Sequence, residues 1–222
     1  MTTSLRASLL AATILGAVAA PAMAADLPSK ATAKAPALAA QASSPWQIRL
    51  RALGVVPDGA LNVDQDAAAD GKISNAVVPE LDISYYFTRN ISAELILGVT
   101  PHTVTGKGDI AGVRVGKTTL LPPTLTAQYH FTDFGAFQPY VGAGVNYTFF
   151  LNTKDGAATN LKIKSAPGLA LQAGFDYMLD ANWGVNVDVK KLWLRPDFTA
   201  TGLTGDLRID PWLIGAGVTY RF

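Results

Sequence analysis

The chain ends Trp212-Leu213-Ile214-Gly215-Ala216-Gly217-Val218-Thr219-Tyr220-Arg221-Phe222, and this stretch decides the fold. Trp212, Ile214, Ala216, Val218, Tyr220 and Phe222 occupy every second position, so an extended strand here is apolar along one whole face. A membrane barrel needs that alternation, with one face on lipid and the other on the lumen. A terminal phenylalanine on such a strand is how bacterial outer-membrane barrels commonly close. The last strand therefore makes the barrel-assembly machinery an expected partner, beside the lipid of the outer membrane itself.

The other end of the chain agrees. Met1–Arg6 is short and positive, Ala7–Ala20 is apolar and uncharged, and Pro21 precedes the small-x-small triplet Ala22-Met23-Ala24. These are the parts of a secretory signal, with cleavage expected after Ala24. The apolar run is too short to span a bilayer comfortably. Residues 25–45 are rich in alanine, carry Pro28, Pro36 and Pro45, and show no alternation, as expected of a flexible periplasmic tether. The barrel is expected from residue 46 to residue 222.

Of 222 residues, 198 remain without residues 1–24, and the loss of Arg6 balances 17 cations against 17 carboxylates. A neutral chain argues against nucleic acid as a partner. There are no cysteines, which excludes a disulfide scaffold and a thiolate metal site. Hydrophobic residues make up 49% of the chain, yet past residue 24 no apolar run approaches the length of a spanning helix. Only helices and closed barrels satisfy every backbone group in hydrocarbon, so membrane affinity spread over alternating strands implies a barrel.

Eight segments have period two: about Trp46–Val56, Val77–Phe87, Ile91–Thr100, Leu120–Phe131, Phe137–Phe149, Ala166–Met178, Trp183–Trp193 and Arg208–Phe222. In the fifth, Val141, Ala143, Val145, Tyr147 and Phe149 alternate with Gly142, Gly144, Asn146 and Thr148. The connections 88–90, 132–136 and 179–182 are tight, whereas 57–76, 101–116, 151–165 and 194–207 are long. Tight periplasmic turns and long external loops are the pattern of an all-β, eight-stranded antiparallel transmembrane barrel. Trp46, Phe87, Phe131, Phe137, Tyr177, Trp183 and Phe222 gather beside the tight turns as an interfacial girdle. Charges share a face from strand to strand, opposite to the apolar interior that a soluble barrel would need.

With the tight turns below, strand parity maps the lumen by height. The lower inward positions include Gln47, Arg49, Arg51, Asp82, Ser84, Glu94, Gln128, His130, Gln138, Asp176, Asn186, Asp188, Thr219 and Arg221. An eight-stranded barrel has just enough interior for side chains, so these charges must pair. Arg49, Arg51 and Arg221 are expected to form a periplasmic plug with Asp82, Glu94, Asp176 and Asp188. The upper inward positions are different: Leu53, Val55, Val78, Ile96, Phe150, Ala170, Leu192, Leu194, Ile209 and Leu213. An apolar cup above a charged floor suits a small hydrophobic solute; a packed core without a cavity is the competing reading. Pro122 and Pro123, high on the fourth strand, cannot donate to a ladder. They mark either a lateral gap between lumen and lipid or a point above the hydrocarbon where water satisfies the backbone.

At these residues the chain resembles the OmpW family. The resemblance is carried by Trp46-Gln47-Ile48-Arg49-Leu50-Arg51, by Leu121-Pro122-Pro123-Thr124-Leu125-Thr126-Ala127-Gln128-Tyr129-His130-Phe131, by Gln138-Pro139-Tyr140-Val141-Gly142-Ala143-Gly144-Val145-Asn146-Tyr147-Thr148, and by Asn186-Val187-Asp188-Val189-Lys190-Lys191. It covers about Trp46 to Phe222. It implies an eight-stranded barrel with a narrow hydrophobic channel, uptake of small hydrophobic molecules, and a lateral exit into the membrane. Leu53 and Trp193 are gating candidates by position, and the 25–45 extension is outside the family pattern.

Catalytic and metal chemistry find little support. A serine hydrolase needs a histidine beside its nucleophile; His102 and His130 are the only histidines, and no serine neighbours His102 in sequence. Two distant histidines make no zinc site. Asp58, Asp64, Asp66 and Asp70 read as a solvated acidic loop rather than a calcium site. No cofactor is expected. Two functions stand open: a channel or carrier for small hydrophobic molecules, and a structural or surface-interaction barrel (adhesin, phage or bacteriocin receptor) with a filled lumen.

Overall fold

The computed structural model describes residues 44–65 and 70–222. The expected signal 1–24 and nearly all of the 25–45 tether lie outside the described residues. Eight strands form the barrel: β1 (Trp46–Val56), β2 (Ala76–Tyr86), β3 (Ile91–Gly98), β4 (Thr124–His130), β5 (Phe137–Asp155), β6 (Ala166–Met178), β7 (Trp183–Leu194) and β8 (Trp212–Arg221). Each strand runs antiparallel to the next, and β8 pairs with β1 to close the ring. Closure removes the two free edge strands that an open sheet would present to hydrocarbon.

Burial alternates residue by residue along β1 and β7, as period two requires when the two faces meet different media. Outward-facing Leu50, Leu125, Val145, Leu169 and Leu171 are each more than half exposed. At the tight-turn end aromatic rings touch edge to face: Trp46 on Tyr85 at 4.9 Å, Trp183 on Tyr220 at 4.7 Å, and Tyr220 on Phe222 at 4.9 Å. Tyr147 and Phe149, with centroids 5.1 Å apart, stand with Trp193 and Trp212 toward the other end. Two aromatic belts flanking an apolar band set the barrel's height in the bilayer.

The long connections are not irregular. Ala60–Val63, Lys162–Ile163, Asp197–Ala200 and Leu203–Arg208 make a four-stranded sheet. Thr100–Gly106 and Arg114–Leu121 form a hairpin that joins Gly71–Ile73 on one side and the upper part of β5 on the other. From these segments Leu61, Ile73, Val104, Leu120, Leu161, Phe198 and Leu207 pack with Leu194 and Ile209 into one apolar cluster over the barrel mouth.

Three strands differ from the sequence expectation by more than two residues at one end. β5 runs on past Phe149 to Asp155 because its upper part finds Arg114–Leu121 as a partner. β8 starts at Trp212 rather than Arg208, since Asp210 has φ 32° and Pro211 offers no amide hydrogen. The expected fourth strand is split at Pro122-Pro123, with β4 below and Arg114–Leu121 above.

Candidate functional site

Antiparallel register stacks the inward side chains of β8, β1 and β2 in storeys. Gln47 lies opposite Arg221 and Ser84, Arg49 opposite Thr219 and Asp82, and Arg51 opposite Gly217 and Glu80. The next storeys are apolar, with Leu53 opposite Gly215 and Val78, and Val55 opposite Leu213 and Ala76. The switch from charge to hydrocarbon therefore occurs within one two-residue step of β1.

Below that step lies a buried ion network. Arg49 binds Asp176 through two bonds, Nε to Oδ1 at 3.0 Å and Nη2 to Oδ2 at 2.6 Å, and its Nη1 meets Glu94. Arg51 meets Asp82, donates to Glu80 Oε1 from Nε at 3.0 Å, and lies 3.6 Å from Asp188. Lys190 Nζ bridges Glu80 Oε1 at 2.8 Å and Asp188 Oδ1 at 2.9 Å. Gln128 and Gln172 donate to Glu94 Oε1 at 2.7 and 3.0 Å, and the Tyr140 hydroxyl donates to Asp188 Oδ2 at 2.9 Å. Tyr140 lies over Gly174, where an added Cβ would come within 2.6 Å of its oxygen. All eight charged members are essentially out of solvent. The two-bond fork of Arg49 onto Asp176 suits a guanidinium and not an ammonium.

Arg221 departs from the expectation that it would pair with a carboxylate. It donates to Gln47 Oε1 at 2.7 Å, to the Tyr86 hydroxyl at 2.8 Å and to Gln138 Oε1 at 3.3 Å, with its guanidinium over the Tyr86 ring. The register explains this, because Arg221 shares a storey with Gln47 and the acids begin one storey higher. Glu80 and Lys190 are the reverse case, members of the network beyond the expected plug. Both have the inward parity of Asp82 and Asp188, but they stand at the height where the charged and apolar halves meet. Tyr140 likewise has inward parity between Gln138 and Gly142. His130 makes its hydrogen bonds with neutral groups, with Nε2 3.1 Å from both Ser92 Oγ and Gln128 Oε1.

Above the network Leu53, Val55, Val78, Ala170, Leu192 and Leu213 pack together; Leu53, Val55, Leu192 and Leu213 line a cavity of about 40 Å³, whereas Val78 and Ala170 pack behind them and do not reach it. Its wall also takes in Ile96, Leu194 and Ile209, while Glu80 and Lys190 reach it from below. Trp193, a gating candidate by position, does not face this space. It points outward with the other odd-numbered residues of β7 and is 38% exposed.

The cavity borders a break in the barrel wall. β3 pairs with β4 up to Ile96–Thr124, and the hairpin above resumes with Thr100–Leu120, so Leu97–Val99 has no ladder to Leu121–Pro123. Gly98 and Thr100 on one margin and Leu120 and Pro122 on the other line the cavity. Toward β5 Leu121 pairs with Phe149, and the Tyr147 N–H donates to the Pro123 carbonyl at 3.1 Å. The Pro122 carbonyl accepts from Thr124 Oγ1 at 3.0 Å, which satisfies it inside its own strand.

His102 stands on the extracellular hairpin at the cavity's edge, with its Nδ1–H donating to the Ser74 carbonyl at 2.7 Å. Burial holds it below the usual histidine range, against the opposing pull of that carbonyl. The neutral ring leaves Nε2 as an acceptor. Among the described loop acids, Asp70 pairs with Lys107 at 3.0 Å and Asp64 accepts from Thr204 Oγ1, each on its own. Asp66 lies outside the described residues.

The OmpW family model matches residues 43–222. An uncharacterized outer-membrane protein, y4mB of Sinorhizobium fredii, is 52% identical over 207 residues, 90% of each chain. Dibenzothiophene metabolism operon protein PahQ of Pseudomonas aeruginosa is 30% identical over 192 residues, 81% of this chain and 89% of that one. The crystal structure of the outer membrane protein OprG from Pseudomonas aeruginosa superposes with a TM-score of 0.73 at 27% identity, covering 82% of this chain and 97% of that one. Barrel, girdles, lumen and these likenesses lead to one conclusion: the chain belongs to the OmpW family and is a β-barrel of the bacterial outer membrane.

Proposed function

We propose that this barrel carries small hydrophobic molecules from outside into the outer membrane, through the apolar cup and out between β3 and β4. One observation carries the reading: the cup is bordered at its side by the interrupted ladder and closed below by the ion network. Straight passage would drive an apolar solute through buried ion pairs, whereas the sideways route crosses only a gap that lacks backbone bonds. The relative PahQ, named for an operon of dibenzothiophene metabolism, supports an apolar cargo. Leu53, Val55, Ile96, Leu192, Leu194 and Leu213 are the proposed contacts, with Val78 packed behind them, and Pro122 and Pro123 the proposed side exit.

Size bears on the mechanism. A dry apolar cavity of about 150 Å³ holds benzene, and the cup has about 40 Å³. Entry of a ring therefore requires the wall to part, and the gap is where it parts without breaking a ladder bond. The surface-interaction alternative draws on the apolar cluster that packs the loops over the mouth. To test the proposal, Leu53→Lys with Leu192→Lys is assayed for uptake of a fluorescent hydrophobic probe into cells, with folding checked by heat-modifiable mobility. A second variant replaces Pro122 and Pro123 by alanine and valine to restore backbone donors. The first should abolish uptake, and the second should slow uptake while leaving binding intact. Unchanged uptake in both variants would leave the receptor reading.

A further inference from the structure

Several polar atoms open onto the cup without a partner. Glu80 is 2% exposed, and its Oε1 accepts two hydrogen bonds, from Arg51 Nε at 3.0 Å and Lys190 Nζ at 2.8 Å, with Arg51 Nη2 in ion-pair contact at 2.9 Å. Among the described residues no group donates to Glu80 Oε2, although Glu80 lines the cavity floor. Higher up, the Thr100 hydroxyl and His102 Nε2 border the same space, equally without a described donor or acceptor. A buried acceptor left unmade costs more than a made bond contributes, so a carboxylate oxygen at the floor of a mostly apolar cup invites a donor on the molecule that fills it.

We propose that the cup selects apolar molecules that bear one hydroxyl group, an alkylphenol or a fatty alcohol, with the hydroxyl donating to Glu80 Oε2 and the hydrocarbon lying against Leu53, Leu192 and Leu213. The proposal rests on the hydrophobic-uptake reading above and names its substrate class. The sign of the head group follows from the floor. The network holds five carboxylates (Glu80, Asp82, Glu94, Asp176, Asp188) against three cations (Arg49, Arg51, Lys190). An anionic head meets net repulsion and an acceptor that gives it no proton, so fatty acids and benzoates are disfavoured. A hydrocarbon enters but leaves Oε2 unmet. A methyl ether fills the same volume and lacks the donor.

The test uses the full-length barrel in lipid nanodiscs with labelled Leu and Val methyls, titrated with 4-butylphenol, 4-butylanisole, butylbenzene and 4-butylbenzoate at pH 7. Cup binding is read at Leu53, Val55, Leu192 and Leu213, and partition into the lipid is subtracted with empty nanodiscs. The phenol should bind about three- to tenfold more tightly than the anisole and the butylbenzene, the range one net hydrogen bond supplies, and the benzoate should bind weakest. In Glu80→Gln the amide oxygen keeps the bonds to Arg51 and Lys190 and the NH₂ turns to the cup, so the preference for phenol over anisole should vanish. If that variant fails to assemble, the wild-type series alone decides. Equal binding of phenol, anisole and butylbenzene would overturn hydroxyl selection and leave hydrophobic uptake standing. No shift of the cup methyls with any of the four would overturn both.

Discussion

Replacing Arg49 by methionine tests the buried network most directly. Arg49 is wholly buried and holds two carboxylates, Asp176 through two bonds and Glu94 through a third. Breaking one buried pair by removing a partner costs about 3–5 kcal/mol, because the other charge stays behind. Two carboxylates are stranded here, yet they share one guanidinium, so the losses do not add in full. A destabilisation of about 5 kcal/mol is expected, comparable with the whole stability of many domains. The same physics predicts a rescue. In Arg49→Met with Glu94→Gln and Asp176→Asn no charge is left unpaired, and replacing a complete buried ionic group by uncharged residues is often close to neutral. Urea unfolding of the barrel in lipid vesicles, followed by tryptophan fluorescence and by heat-modifiable mobility, measures both variants. A cost below about 1 kcal/mol for the single variant, or a triple variant no more stable than the single, would refute the argument that stranded charge dominates.

Tyr140→Phe deprives Asp188 Oδ2 of a donor and should cost about 1–3 kcal/mol in the same unfolding assay. Gly217→Val should block assembly or lower the urea midpoint strongly, since a Cβ there overlaps the Leu50 carbonyl oxygen in the neighbouring strand. His102 has its folded pKa lowered by burial, so the unfolded hairpin binds the proton better. Its contribution is intact above the ordinary histidine value of about 6.5 and is lost as pH falls below it. Protection factors at Ile73 and Val104, which correct for the intrinsic slowing of exchange in acid, should therefore fall on acidification, and His102→Gln should flatten that dependence.

The wall was legible because it obeys one rule along each strand. Leu50, Arg51 and Ala52 alternate in burial as their polarity says, and the register of β8 on β1 follows from keeping Arg49 and Arg51 on one side with Thr219. The loops were hidden for the opposite reason. Lys162–Ile163 and Asp197–Ala200 are too short for a period to appear, and they become strands only by pairing, the first with the second and the second with Leu203–Arg208. Glu80 and Lys190 had the right parity, but height along a strand depends on tilt and register between neighbours, which no single strand encodes. Arg221 failed in the same way, because its partners were fixed by the storey it occupies and not by its charge. The break between β3 and the hairpin was half visible. Pro122 and Pro123 announced missing donors, while the opposing loss at Leu97–Val99 needed the pairing itself.

That break keeps its phase. Ile96 faces Thr124 below it and Thr100 faces Leu120 above it, so the two chains advance by the same four residues across the unpaired stretch. The slit is thus a buttonhole, stitched in matching register at both ends, and not a seam that has slipped. Widening it asks only that two short spans bow apart. On the proposed side exit no strand would slide, no side chain would change face and no ladder bond would break, so the cloth on either side would stay whole while a solute passed. Its length, three residues on each margin, also caps the aperture. A strand advances about 3.3 Å per residue, which leaves an unstitched length of about 10 Å: room for a flat ring or an alkyl chain to leave edgewise, and too little for a folded lipid or a peptide.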